Sequence, residues 1–260
     1  MSKEQGSRTK EEIGVGKPIS LFDVDGTLTK GFAILSFARN LDDLGKLTDG
    51  AWAKMQYDYQ RYLDSARRTE DYHAFAVDVV NNYGLGLEGQ RVEEIQAVAE
   101  TYFDKVHAGE VEDYTLLPFA EELLTIMNEI GPTFAITGSP VEALNPLKKH
   151  IGMVAVEGTQ LTIVDGVYTG SVAVNLALGE SKNAAVAALI KGMDVDFERS
   201  FAFGDSMSDI PLLEVVRNPF VLGSNQQLQE EGKRRRWHVI KDPNEVIPAV
   251  RTQISKVFAR

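Results

Sequence analysis

Apolar and polar positions alternate in two rhythms along this chain. Residues 18–25, PISLFDVD, form a short apolar run closing on acids, which predicts a buried central strand. From about residue 31 to 108 the spacing becomes helical. Ile34, Leu35, Ala38 and Leu41 recur at that interval, as do Trp52, Met55, Tyr59, Tyr62 and Leu63. Tyr72, Phe75, Ala76, Val79 and Val80 repeat it, and Val92, Ile95, Val98, Ala99, Tyr102, Phe103 and Val106 show it best. Four helices and no strand are predicted there, with most of the aromatics as core.

Beyond Pro118, helical and extended patterns alternate. Residues 118–130 predict a helix with Pro118 in its first turn. PTFAIT (132–137) predicts a strand, and 141–150 a helix. The run MVAVEGTQLTIVDGVYTGSVAV alternates about Asp165-Gly166, the mark of a β-hairpin. A helix over 180–191, a strand over 200–205 and a helix over 208–216 follow, then strands at PFVLG and WHVIK. Strands separated by helices indicate a doubly wound parallel α/β sheet. The expected division is a tail at 1–16, an α/β core at 17–30 and 110–260, and an inserted all-helical cap at 31–109.

Composition narrows the possibilities. At 260 residues, 43% hydrophobic and 25% charged, the chain has the balance of a soluble globular protein. Its 27 basic and 38 acidic residues leave a net charge of −11, which disfavours nucleic acid as a partner. The dense basic run, Lys233 to Arg236, follows a helical segment, where cations suit the helix C-terminus. There is no cysteine, so disulfides, thiol catalysis and zinc–thiolate sites are excluded. The first sixteen residues lack the apolar region of a secretory signal, and no run is long and apolar enough to span a bilayer. A cytoplasmic protein without a membrane partner is expected. His73, His107, His150 and His238 stand apart from the acids and read as structural or surface residues. Arg67, Arg68 and Tyr59 read as part of a solvated cap face.

The chemistry collects at strand ends, where open α/β sheets bind ligands. Asp23 and Asp25 close the first strand, Thr137-Gly138-Ser139 a second, and Asp205 a third, with Asp209 four residues on. Lys182, near the start of a helix, can reach the same edge. Taken singly, each has a plain reading: Asp-Gly ends strands, Ser139 caps a helix, Asp209 opens one, and Lys182 is solvated. Together they describe a site. Three close carboxylates raise one another's pKa unless a cation holds them, and Mg²⁺ accepts such oxygen ligands together with a substrate phosphate. One carboxylate can then act as nucleophile and a second as general acid and base. Asp25, two residues past Asp23, is placed for the second role.

These same residues carry a family resemblance. DVDGTLT, the Thr137 strand end, GESKNAA around Lys182, and GDSMSD resemble the four ordered motifs of the haloacid dehalogenase superfamily of phosphatases. The helical insert between the first two motifs, and the hairpin preceding GESK, resemble the phosphoserine-phosphatase-like IB subfamily over residues 18–245. The resemblance implies a Mg²⁺-dependent phosphomonoester hydrolase that acts on a small phosphorylated metabolite through an aspartyl-phosphate. It implies Asp23 as nucleophile and metal ligand, and Asp25 as general acid/base whose backbone carbonyl also binds the metal. Thr137, Gly138 and Lys182 would bind the phosphoryl group, Asp205 would complete the metal ligands, and Asp209 would support them.

One departure bears on the substrate. Phosphoserine phosphatases carry a glutamate shortly after the first motif that recognises the substrate amine. This chain reads LTKGFAILSF there, with Lys30 and no acid before Asp42. That sets phosphoserine in question and leaves phosphomonoester hydrolysis intact. Serine, choline, histidinol, a sugar and a lysophospholipid headgroup stay open as the leaving group. Two other functions use similar residues: a receiver-like phospho-acceptor signalling protein, and a catalytically inactive binding protein on this fold. A dehalogenase needs neither the metal nor a second acid.

Overall fold

The computed structural model describes residues 16–150 and 152–259, without the side chains of Leu147 and His150. The tail expected over 1–16 lies, but for Gly16, outside these residues. In chain order the elements are β1 (Ser20–Phe22), β2 (Thr29–Lys30), α1 (Ala33–Asp43), α2 (Ala51–Asp64), α3 (Thr69–Gly86) and α4 (Val92–His107). Then come β3 (Thr115–Leu116), α5 (Ala120–Ile130), β4 (Thr133–Pro140), α6 (Val141–Leu144) and α7 (Pro146–His150). The hairpin β5 (Ala155–Val164) and β6 (Val167–Val174) leads to α8 (Gly179–Ile190), β7 (Phe201–Gly204) and α9 (Ile210–Glu214). The chain ends with β8 (Asn218–Leu222), α10 (Gln226–Arg235), β9 (His238–Ile240) and α11 (Val246–Phe258).

Among these residues seven strands form one sheet in the order β6-β5-β4-β1-β7-β8-β9. All neighbours are parallel except the hairpin pair β5–β6. Side chains alternate across the sheet, and each face is buried by helices. Leu21, Phe134, Ile136, Ala202 and Val221 join Val186, Leu189, Leu212, Leu213 and Leu228 of α8, α9 and α10 on one face. Phe22, Ala135, Phe203 and Phe220 join Leu123, Leu124, Met127 and Val250 of α5 and α11 on the other. Phe22, Phe203 and Phe220 stack across three adjacent strands, with ring centroids 4.7 and 5.2 Å apart. This is the doubly wound α/β architecture expected from the pattern, with β1 at its centre. No helix among the described residues is long and apolar enough to cross a membrane.

Three details differ from the sequence reading. Strand β4 runs past Thr137 to Pro140, with a register shift between Ile136 and Pro140 that lets Pro140 pair with Thr159 of β5. The helix expected at 141–150 is broken into α6 and α7 by Asn145-Pro146, because proline cannot donate the hydrogen bond that would continue it. The helix expected at 208–216 starts as a 3₁₀ turn at Met207–Asp209 and continues as the short α9.

The segment carrying α1–α4 leaves and rejoins the sheet through one short antiparallel ladder, β2 with β3. Its buried Leu41, Met55, Phe75, Val80 and Phe103 belong to the same apolar cluster as Phe22 and Phe203 of the sheet. The hairpin fastens it further. Gly89 donates to the Tyr168 carbonyl (2.9 Å), Tyr168 to that of Gln90 (3.0 Å), and Val92 to that of Gly166 (3.0 Å). Where α3 crosses β6, a Cβ on Gly84 would stand 2.9 Å from the Gly170 carbonyl oxygen, so glycine is what permits the approach.

Candidate active site

Asp23 and Asp25 flank Val24, which is fully buried, so the two carboxylates lie on one side of the chain and the valine anchors the other. Asp23 leaves β1 with its N–H on the Phe203 carbonyl (2.9 Å). The chain then turns sharply, with the amides of Thr27, Leu28 and Thr29 all converging on the Val24 carbonyl at 2.8–3.2 Å. Gly26 makes this turn at φ +89°, and a Cβ there would sit 2.2 Å from Asp205 Oδ2. Any other residue would be strained and would displace that carboxylate.

Strand β7 delivers Asp205 beside this turn. Thr27 Oγ1 donates to Asp205 Oδ1 (3.3 Å). Asp209 Oδ2 accepts from the amides of Asp205 (3.0 Å) and Ser206 (2.8 Å) and from Ser206 Oγ (3.0 Å), closing the loop between β7 and α9. Its other oxygen accepts from Lys182 Nζ at 2.6 Å, and the same ammonium reaches Asp23 Oδ1 at 2.5 Å. Lys182 is 2% exposed, a burial that a charged lysine tolerates only with such partners. Carboxylate oxygens of Asp23, Asp205 and Asp209 all lie within 4.8 Å of one another.

The end of β4 supplies the remaining wall. Thr137 Oγ1 accepts from the Ser139 amide (3.1 Å), and Ser139 Oγ donates to Asp25 Oδ2, which also receives the Ala33 N–H (3.1 Å). A Cβ on Gly138 would meet Ala177 Cα at 2.7 Å. Behind it, the buried Thr159 donates to the Gly138 carbonyl (2.7 Å) and accepts from the Leu176 amide (3.1 Å), holding the loop in place.

Burial dominates the electrostatics. It pushes the Asp23 carboxyl up to about 8, with Asp209 adding to the rise and Lys182 opposing it. Burial also raises Asp25 against the Ser139 hydroxyl and the Ala33 amide. Asp205 is driven well above the usual carboxylate range by burial, then by Asp209 and Asp23. Burial works against the Lys182 ammonium, but the carboxylates of Asp209 and Asp23 outweigh it and raise its pKa. Among the described residues no cation pairs directly with Asp205. A partly buried carboxylate in that position, beside two others, suits a hard divalent cation. Asp23 and Asp205 each keep one carboxylate oxygen for such an ion, whereas both oxygens of Asp209 are taken by Lys182 and the Ser206 loop.

Asp23, Asp25, Thr137, Gly138, Lys182 and Asp205 thus line a single cavity, and Asp209 lies directly behind it. Sequence reasoning missed several neighbours. Ser139 reads as a helix cap, yet Pro140 occupies that position and the serine hydroxyl is turned to Asp25. His73, Arg67 and Arg68 line the cavity instead of merely facing solvent, whereas Tyr59 packs behind it against Phe32 and Phe75. The only signal for these lay in the helical register that places Tyr72 and Phe75 beside His73. Half of the basic run is neutralised locally: Arg234 and Arg235 pair with Glu231, Arg235 also with Glu214, and the Arg235 guanidinium lies 5.0 Å from the Trp237 ring.

Comparison with known proteins finds similar chains and the same fold. Phosphoserine phosphatase SerB1 of Mycobacterium tuberculosis (strain H37Rv) is 25% identical over 228 residues, spanning 85% of this chain and 69% of that one. The crystal structure of a Bordetella pertussis Tohama I protein superposes with a TM-score of 0.65 at 21% identity, covering 88% of this chain and all of that one. A substrate-bound phosphoserine phosphatase shares the fold with a TM-score of 0.61 at 17% identity, covering 91% of this chain and 99% of that one. The family model for haloacid dehalogenase-like hydrolases matches residues 20–214, from the strand before Asp23 to the helix after Asp209, and the chain belongs to that family.

Proposed function

We propose that this protein is a Mg²⁺-dependent phosphomonoester hydrolase working through an aspartyl-phosphate, with α1–α4 (within residues 31–109) as the cap over an α/β core. The observation that carries the reading is the buried Lys182 ammonium bridging Asp23 and Asp209 beside Asp205. Such an arrangement neutralises a nucleophilic carboxylate and offers charge to an incoming phosphoryl group. Asp23, Asp205 and the Asp25 carbonyl would hold the Mg²⁺, which when bound offsets the negative charge of the carboxylates and of the phosphoryl oxygens.

Asp23 attacks phosphorus, and the bond to the alcohol oxygen breaks. Asp25, whose raised pKa suits proton donation, gives its proton to that oxygen. The alcohol leaves, and Asp25, now a carboxylate, takes a proton from water as the water attacks the phosphorus of the aspartyl-phosphate. Inorganic phosphate departs and Asp23 is regenerated. Ser139 and the Ala33 amide orient Asp25 throughout. Lys182, the Thr137 hydroxyl and the backbone at Gly138 hold the phosphoryl oxygens. Thr69 Oγ1 donates to Gln227 Oε1 (3.0 Å), joining α3 to α10 beside the cavity in the manner of a closed cap that excludes water.

The test is phosphate release from p-nitrophenyl phosphate with and without Mg²⁺. Asp23→Asn should lower turnover at least about a thousandfold, the scale of losing a nucleophile. Wild-type turnover in that variant refutes the mechanism. A receiver-like protein would be phosphorylated once without steady-state release, and an inactive binding protein would release nothing.

A further inference from the structure

The carboxylates and Lys182 form only part of the cavity lining. The remainder is mixed: Phe32 ahead of α1, Ile34 of α1, and Tyr72, Phe75, Val79 and Val80 of α3 form an apolar wall, while Ser206, Ser208, Asn225 and Gln227 contribute polar groups. The rings support one another, with centroids 5.5 Å apart for Phe32–Phe75 and 6.3 Å for Tyr72–Phe75. Tyr62, also in the lining, stacks on Phe75 at 5.1 Å and an interplanar angle of 16°. Such mutual packing presents a rigid apolar wall that loses little freedom when a ligand is laid on it.

Charge is distributed just as unevenly. The acids that line the cavity are Asp23, Asp25 and Asp205, all on the phosphoryl side. The charged or titratable groups beyond the rings are Arg67, Arg68 and His73, and both arginines are exposed at the opening. Arg68 pairs with Glu70 and Asp71, whereas the Arg67 guanidinium meets the Leu63 carbonyl and, among the described residues, no carboxylate. An ammonium placed beyond the rings would therefore face a guanidinium, with the nearby Asp71 already paired to Arg68. The cavity holds about 140 Å³. That volume includes the phosphoryl side, so the space beyond it suits a small alcohol.

Resting on the phosphomonoesterase reading above, we propose that this chamber selects phosphate monoesters of small, uncharged, apolar alcohols, and discriminates against aminoalcohol phosphates. Withdrawing roughly 100 Å² of apolar surface from water favours such an ester by on the order of a hundredfold.

Benzyl phosphate, O-phosphoethanolamine and O-phosphoserine, all esters of alkyl alcohols, are compared by kcat/KM with saturating Mg²⁺. Benzyl phosphate should lead each of the others by about a hundredfold. Phe32→Ala should lower its kcat/KM about tenfold, and Phe32→Glu, at a half-buried position, should cut its lead over O-phosphoethanolamine at least tenfold. Equal or reversed preference in the wild type overturns the proposal, as does a lead that neither variant changes. Calorimetric binding of benzylphosphonate and 2-aminoethylphosphonate separates this claim from the one beneath it. Preference for benzylphosphonate in a protein that hydrolyses no ester would sustain the chamber and refute the phosphatase. Turnover with equal binding of the two phosphonates would do the reverse.

Discussion

Glu142 offers a test of the structure away from the reacting groups. It opens α6, directly after the Thr137–Pro140 strand end, and is 5% exposed. Tyr83 of α3 donates a hydrogen bond to it at 3.3 Å, and Tyr168 of β6 lies nearby. No cation accompanies it among the described residues. Burial therefore pushes its carboxyl from 4.5 up to about 7, only partly opposed by hydrogen bonds to its own backbone and to Tyr83. The sign follows from proton counting. Between pH 4.5 and about 7 the unfolded chain has lost this proton while the folded chain retains it, so folding stability falls as pH rises through that window. Below 4.5 both states are protonated and the stability is fully present; above about 7 both are ionised and the loss is complete. The loss amounts to about 3 kcal/mol. Glu142→Gln keeps the acceptor for Tyr83 and removes the titration. It should match the wild type within about 1 kcal/mol at pH 4.5 and exceed it by about 3 kcal/mol at pH 8. Urea denaturation of both proteins at each pH, at one fixed Mg²⁺ concentration, measures the difference. The comparison cancels the contributions of Asp23, Asp25 and Asp205. A gap between the two proteins that stays constant with pH would refute the reasoning, because it would mean that Glu142 is solvated or paired in the fold.

Three further perturbations probe the site. Gly26→Ala places a methyl group 2.2 Å from Asp205 Oδ2, and should raise the Mg²⁺ concentration for half-maximal activity at least about tenfold, read from a metal titration of turnover. An unchanged midpoint would separate Asp205 from the metal. Lys182→Met leaves Asp23 and Asp209, whose side chains are 7% and 0% exposed, without their cation, and should cost about 3–5 kcal/mol in metal-free buffer. Denaturation showing a loss below about 1 kcal/mol would place the ion pair in a surface-like environment. Thr159→Val removes two buried hydrogen bonds behind Gly138 and should destabilise the fold by about 2 kcal/mol. A neutral outcome in thermal melting would show that this support is dispensable.

Much of the architecture is encoded locally. A two-residue spacing puts Asp23 and Asp25 on one side of Val24, and a Gly at the turn releases the chain from the strand. Helical periodicity over Val92 to Val106 and strand–helix alternation after Pro118 depend on near neighbours alone, so the doubly wound sheet and its inserted helices are legible from the chain. Strand order in such a sheet then brings the acids, Thr137 and Lys182 to one edge, because their motifs all stand at strand ends or helix starts. Element ends were less legible where a distant partner decides them. Strand β4 extends to Pro140 because β5 pairs with it there.

Tertiary structure alone decided the rest. Ser139 reaches Asp25 across 114 residues, and Thr27 reaches Asp205 across 178. Neither serine nor threonine carries a local signal that separates such a contact from a cap or turn. Glu142 sits in a sequence that reads as an ordinary helix start, and only the packing of α6 against α1, α4 and β5, with Tyr83 of α3 over the carboxyl, shuts out water. The aromatic chamber has the same origin. Periodicity marks Tyr72 and Phe75 as inward-facing, but whether an inward face meets other side chains or an open cavity depends on the element opposite, and that is a property of the folded chain.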